Sequence, residues 1–153
     1  MNWKGLVVGL LAIAVSVITY LLTRRRELAW KRTEFLSEQA KYLEDDPVLT
    51  EVITILEERH PTIKVQDIFG NGGTLDEVKR AEYVQKFDKF LGFLWRLSYA
   101  HLTLKTISSA EVEAFGWYYW RIAQMPTLVD YCENFGFGDI NLVTKKLRLD
   151  EEE

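Results

Sequence analysis

The chain has 153 residues, of which 48% are apolar and 13% aromatic, so it has enough apolar material for one packed domain and does not resemble a disordered tail. Its net charge of −4 is unevenly spread: residues 1–41 carry seven Lys/Arg and three Glu, whereas residues 42–153 carry twelve basic and twenty acidic side chains. Because phosphate binding needs a concentrated basic face, the acidic body argues against a nucleic-acid partner.

The first predicted element is a membrane anchor over residues 1–23. The run from Gly5 to Leu22 has no charged side chain and leads directly into Arg24, Arg25 and Arg26. About 18–20 apolar residues cross the hydrocarbon core of a bilayer, and a basic cluster marks the cytoplasmic end. The run ends in bulky residues that suit no signal-peptide cleavage site, so we expect an uncleaved single-pass anchor. The three arginines should contact lipid headgroups, with the rest of the chain in the cytoplasm.

The anchor also contains a candidate contact between two copies. Gly5 and Gly9 stand four residues apart, a spacing that lets two apolar helices approach closely. A homodimer through these glycines is therefore one expectation for the lipid-embedded segment.

Residues 24–46 are predicted to form a basic juxtamembrane helix. Leu28, Phe35 and Tyr42 recur every seven residues as an apolar stripe, and residues 24–43 contain no Gly or Pro. A continuous helix here favours transmission of a signal between bilayer and domain, whereas a flexible hinge favours simple tethering.

Residues 47–149 are predicted to be an all-α bundle of about four to five helices. Asp46 is a natural N-cap with Pro47 in the first helical position, and Thr74 with Glu77 forms a capping box before a long helix. The apolar seam predicted for this long helix, which should extend to about residue 106, comprises Tyr83, Phe87, Phe90, Leu94, Leu97, His101 and Leu104.

The second half of the bundle is divided by recognisable start and stop residues. A serine at 108–109 should cap one helix, Pro126 should stop or kink it, and Gly136 should end another helical stretch. A last segment follows over residues 140–149, and residues 150–153 form an acidic tail that we expect to be solvated.

Residues 61–74 are predicted to be a connector, with a brief extended piece at 62–65. The glycines at 70–73 are followed by no lysine and fit neither the P-loop nor the dinucleotide-binding pattern. The sequence therefore predicts no phosphate site here.

Residues that often carry chemistry are few. His60 is expected to be exposed at a helix end, His101 to be a core residue with one ring nitrogen bonded to a backbone carbonyl or a neighbour, and Cys132 to be a buried small hydrophobe. Two histidines and one cysteine form no recognisable catalytic, metal or cofactor motif, so we expect no catalytic residue, no metal and no cofactor.

The densest aromatic stretch runs from Phe115 to Arg121. Its core side chains are expected to be Phe115, Tyr118, Tyr119 and Ile122. Trp117, Trp120 and Arg121 then face another surface, and three interpretations remain open: cover by a neighbouring helix, an interface with another protein, or contact with the membrane surface.

This order of features resembles the small membrane-anchored helical proteins grouped as domain of unknown function 4760. The resemblance covers most of residues 1–140 and rests on the N-terminal span, the acid-Pro turn at 45–47, the aromatic helix that begins Phe-Asp-Lys-Phe-Leu-Gly-Phe-Leu-Trp at Phe87, and the stretch 107–120. It implies an anchored helical architecture and no assigned activity.

Together these patterns predict a non-enzymatic, membrane-tethered interaction or scaffold protein that binds the bilayer and another protein. The alternative is a sensor or effector subunit that transmits state through the juxtamembrane helix. An enzyme is the least favoured class.

Overall fold

The computed structural model describes residues 3–70 and 72–150, with the side chains of 13–70 and 72–148. Over these residues the chain forms helices and turns without a strand, which confirms the all-α class. The described part contains eight helices, more than the four to five predicted for the bundle plus the N-terminal span. They are α1 (Trp3–Asp45), α2 (Pro47–Leu56), α3 (Val65–Phe69), α4 (Glu77–Leu102), α5 (Ser109–Glu113), α6 (Gly116–Ala123), α7 (Pro126–Asn134) and α8 (Gly138–Asp150).

The chain divides into two compact units, one ending at Gln39 and the other beginning at Ala40. In the first unit, the large apolar side chains between Ile13 and Leu22 are exposed along α1. Within the part of the chain that the structure describes, no helix combines the length and apolar character needed to cross a bilayer. Gly5 and Gly9, with the rest of the predicted anchor before residue 13, lie outside the side chains that are described.

The start of α2 agrees with the sequence prediction. The Asp46 carboxylate accepts hydrogen bonds from the backbone N–H groups of Val48 and Leu49, and Pro47 occupies the first turn, where it needs no hydrogen-bond partner. The other carboxylate oxygen of Asp46 binds the Lys89 ammonium, which ties the α1–α2 junction to α4.

The predicted connector at residues 61–74 contains a short helix that sequence reasoning missed. In the extended piece expected at 62–65, Lys64 is extended but Val65 already begins this helix. The backbone N–H of Lys64 donates to the Asp67 carboxylate at 2.9 Å, which starts α3. Arg80 donates to the Ile68 carbonyl at 2.6 Å and holds the end of α3 against α4. Gly73 passes so close to Asp67 that an added Cβ would lie 2.1 Å from its carbonyl oxygen, so the glycine permits close packing.

The long helix α4 is the centre of the bundle, but both of its predicted ends are wrong. Its N-cap is Asp76, whose carboxylate accepts from the backbone N–H of Lys79 at 2.8 Å, and not Thr74. It ends at Leu102, and Leu104 is exposed in the following turn instead of lying in the seam. The buried side chains of α4 are Phe87, Phe90, Leu91, Phe93, Leu94, Leu97, Ser98, Ala100 and His101. They confirm the centre of the predicted seam, and α2, α3, α5 and α8 all pack against this helix.

The helix predicted after residue 108 is two helices. Ser108 and Glu111 form a capping box at the start of α5, but the helix ends at Glu113 and α6 begins at Gly116 after a break. The later boundaries match the sequence, because Pro126 stands in the first turn of α7 and Gly136 adopts a positive φ of 88° after it.

Candidate functional site

Helix α6 is fixed to α4 by its inward-facing aromatic residues. The Tyr119 hydroxyl donates to the Leu94 carbonyl at 3.0 Å and lies 3.1 Å from the Ser98 hydroxyl. Burial raises the pKa of Tyr119, and the Ser98 hydrogen bond offsets this only in part, so the phenol stays neutral. Phe115 and Ile122 are also buried, as predicted, and hold α6 in one orientation.

Trp117 and Trp120 lie on the opposite face of α6, three residues apart. Their exposed fractions are 42% and 48%, so no neighbouring helix in the described structure covers them. Trp117 contacts Tyr118 edge to face, with ring centroids 5.2 Å apart, which restricts the orientation of its indole ring. Two large exposed aromatic side chains on one helical face are typical of binding surfaces.

The two tryptophans line a groove of about 460 Å³ between α5, α6 and α8. Its lining residues are Ser109, Glu113, Gly116, Trp117, Tyr119, Trp120, Thr144, Leu147 and Arg148. We call this surface the tryptophan groove. Its apolar walls and small set of polar groups resemble the composition of ligand and peptide sites.

Two opposite charges belong to the tryptophan groove. Glu113 comes from α5 and Arg148 from α8, and both side chains are exposed. Neither forms an ion pair with another described side chain, whereas Glu51, Glu58 and Asp46 all do. Within the described residues, the groove therefore contains one acid and one base that are not paired with another side chain.

Arg121, the third residue of the predicted interface, is not in this groove. Its Nε donates to the Leu56 carbonyl at 2.6 Å, and one terminal nitrogen lies 2.6 Å from the Glu58 carboxylate. Arg121 instead borders a second cavity of about 500 Å³ beside α3 and α7. Because its guanidinium donates to a backbone carbonyl in the last turn of α2, the main contacts of Arg121 stabilise the fold.

The strongest cluster of ionisable groups surrounds Glu51 on α2. Its carboxylate accepts from the Tyr83 hydroxyl at 3.1 Å and from the Lys86 ammonium at 2.9 Å, while His60 lies 4.0 Å away. Burial raises the pKa of Glu51, but the hydrogen bonds from Lys86 and Tyr83 and the charge of Lys86 outweigh it, so the pKa is below its usual range. The hydrogen bond to Glu82 and the contacts with Glu51 raise the pKa of Lys86, although burial opposes them. These groups neutralise one another and contain no activated nucleophile.

His60 is half-buried, not exposed as predicted. Its Nδ1 accepts hydrogen bonds from the backbone N–H groups of Ile63 at 3.1 Å and Thr62 at 3.4 Å, so the ring organises the turn after α2. The ring also meets Tyr83 edge to face. The residue is thus a turn-stabilising side chain between α2 and α4.

The predicted burial of His101 and Cys132 is confirmed. His101 is buried, with Nδ1 3.1 Å from the Ile107 carbonyl and Nε2 3.2 Å from the Lys146 ammonium. Cys132 is fully buried, and burial raises the pKa of its thiol to about 12, so it is not a reactive thiolate. Among the residues that are described, no three His, Cys, Asp or Glu side chains come close enough to hold a metal ion.

The groove residues on α5 and α8 were missed by sequence reasoning. Thr144, Leu147 and Arg148 have the spacing of one helical face, so the sequence carries their periodicity. It does not reveal that this face packs beside α6, because the two helices meet through contacts between residues far apart in the chain.

Compared with known protein families, with curated proteins and with solved structures, the chain matches none of them. The resemblance to the domain of unknown function 4760 family therefore stays a prediction from the sequence motifs.

Proposed function

We propose that this protein is a membrane-tethered helical interaction module that uses the tryptophan groove to bind another protein. The observation that carries the proposal is the pair Trp117 and Trp120, exposed on one face of α6 and lining a groove whose acid and base have no ion-pair partner among the described side chains. Burying such indole rings against a partner removes a large apolar area from water, and Trp is enriched among residues that dominate binding energy.

In this proposal the anchor is the uncharged run from Gly5 to Leu22, with Arg24, Arg25 and Arg26 at the cytoplasmic headgroups. The helical conformation of α1 supports the proposal, since a helix satisfies its backbone hydrogen bonds internally in lipid. The described apolar side chains up to Leu22 are exposed and thus accessible to acyl chains. Tethering raises the local concentration of the bundle at the bilayer and strengthens weak contacts with other membrane proteins.

Cell fractionation tests the tether. We expect the full chain to sediment with membranes and to resist extraction with alkaline carbonate, and a variant lacking residues 1–23 to move to the supernatant. Recovery of the full chain in the supernatant, or a mature chain that begins after Thr23, would overturn this part of the proposal.

Crosslinking in native membranes followed by mass spectrometry tests the docking site. The variant W117A/W120A should lose its crosslinked partner while far-ultraviolet circular dichroism and the melting temperature stay close to those of the wild type. The matched control V78A/L142A removes two exposed apolar side chains outside the groove and should keep the partner. Equal partner recovery from the two double variants would place the docking site elsewhere.

A second candidate function is a sensor or effector subunit. The observation that favours it is the unbroken helix α1, which runs from Trp3 to Asp45 through the whole segment 24–43. Insertion of three glycines after Thr33 should interrupt this helix without removing the tether. Under the sensor function the insertion abolishes the response of a partner to the bilayer state, whereas under simple tethering partner recovery is unchanged.

A further inference from the structure

We propose that the occupant of the tryptophan groove is the same groove of a second copy of this chain, forming a two-fold symmetric dimer. This inference rests on the proposed function, because it names the partner that the groove binds. It uses a surface of the bundle and is separate from the glycine contact predicted within the anchor.

The charges of the groove are self-complementary. In a two-fold symmetric interface, both copies contribute the same patch. When one residue of the first copy contacts a different residue of the second, the reverse contact forms as well. The groove supplies one acid, Glu113, and one base, Arg148, and neither has an ion-pair partner among the described side chains. Across a two-fold axis, each Arg148 meets Glu113 of the second copy, which leaves the interface with two ion pairs and no excess charge.

The apolar part of the groove is also suited to a symmetric contact. Trp117 and Trp120 lie about one helical turn apart on the exposed face of α6, and Gly116 beside them has no side chain to fill the groove. An indole ring from a second copy enters this space, while its own groove receives a ring in return. Aromatic side chains and arginine are the residue types enriched at protein interfaces.

The net charge of the body sets the conditions for the test. Residues 42–153 carry twelve basic and twenty acidic side chains, so two copies repel each other at long range. At about 0.15 M salt the screening length is roughly 8 Å, which suppresses this repulsion more than it weakens contacts between buried pairs. The dimer is therefore measured at that ionic strength.

Charge exchange between Glu113 and Arg148 distinguishes a two-fold contact from other occupants. In the dimer, E113R replaces both Glu–Arg pairs by Arg–Arg contacts, and R148E replaces both by Glu–Glu contacts. Each variant alone should therefore self-associate at least about tenfold more weakly than the wild type. A mixture of E113R with R148E restores both ion pairs, and so does the double variant E113R/R148E. Both should regain affinity close to that of the wild type.

The experiment uses the full chain in lipid vesicles of neutral phosphatidylcholine, with donor-labelled and acceptor-labelled populations and energy transfer as the readout. All variants also carry G5L/G9L, which removes the glycine contact in the anchor. Recovery of transfer in the mixed sample supports the dimer. Equal transfer in all samples, failure of the mixture to recover, or absence of transfer above random encounter in the parent protein overturns it.

Failure of the dimer is distinguishable from failure of the proposed function. If the parent protein is monomeric but W117A/W120A still loses a crosslinked protein of different sequence, the groove binds that protein and the second-copy inference is wrong. If neither self-association nor any crosslink depends on the tryptophans, the groove is not a docking site.

Discussion

Arg121 illustrates how far a residue's role depends on contacts that are distant in sequence. In the chain it follows Trp120 directly and was predicted to share its surface, yet its guanidinium binds the Leu56 carbonyl and Glu58, more than sixty residues away. The aromatic run itself indicates that some rings must be exposed. Which rings are exposed is decided by the packing of α5, α7 and α8 against α6, and local periodicity does not contain that information.

The structural role of Arg121 gives a first prediction. R121A leaves the Leu56 carbonyl without its donor and should lower the free energy of unfolding by about 1–3 kcal/mol, measured by urea denaturation. R121K should recover only part of this loss, because an ammonium cannot reproduce the guanidinium fork. E58Q is the control: Glu58 is 68% exposed on its side chain, so its pair contributes about 0–1 kcal/mol. Full stability of R121A would show that the contact is dispensable.

Glu51 gives a prediction about pH. Its pKa is lowered from an ordinary value of 4.5, so the ionised carboxylate stabilises the folded state above that pH, and the contribution is lost as the pH falls through the folded pKa. E51Q should be less stable than the wild type by about 1–2 kcal/mol at pH 7, and the difference should shrink between pH 5 and pH 3. The exposed Glu44 provides the comparison through E44Q. A constant difference across that pH range contradicts the assignment.

At the scale of elements, the helix boundaries that use an unambiguous capping residue were predictable. Pro47 and Gly136 act as expected because each has one conformational role that its neighbours reinforce, and Ser108 is the cap of the two adjacent serines that fitted this role. The start of α4 failed because Thr74 and Asp76 both fit the N-cap role. The break between α5 and α6 was not predicted because the segment around Phe115 has no proline and its only glycine, Gly116, already belongs to α6. Phe115, which is buried, stands at the break with φ −105° and ψ 8°.

The two cap candidates of α4 allow a direct comparison. D76A removes the carboxylate that accepts from the Lys79 N–H and should lower the free energy of unfolding by about 1 kcal/mol. T74A, two residues earlier in the same loop, should leave stability within about 0.5 kcal/mol of the wild type. Equal costs for the two substitutions, measured by urea denaturation, would show that the cap is shared.

At the scale of the whole molecule, the sequence predicts which residues form the core, but it does not predict the groove on the surface of the bundle. The centre of the α4 seam is buried as expected, because a long helix with aromatic residues at spacings of three and four must be covered on that face. The tryptophan groove depends on the arrangement of α5, α6 and α8, three elements whose mutual packing is set by contacts across the fold. Its charged residues therefore emerge only from the structure.

The second compact unit begins at Ala40, and every buried apolar residue among the described side chains, from Leu43 to Val143, belongs to it. A chain of residues 40–153 should therefore be helical and unfold in urea in one cooperative transition. A chain of residues 47–153, which starts at the predicted domain boundary, loses buried Leu43, the Tyr42 contact with Phe93 and the Asp46 cap of α2. Loss of the Leu43 side chain alone costs about 2 kcal/mol, so the shorter chain should have a lower urea midpoint. Equal midpoints would show that the end of α1 contributes nothing to the bundle, and a broad transition for residues 40–153 would show that the unit needs the preceding helix to fold.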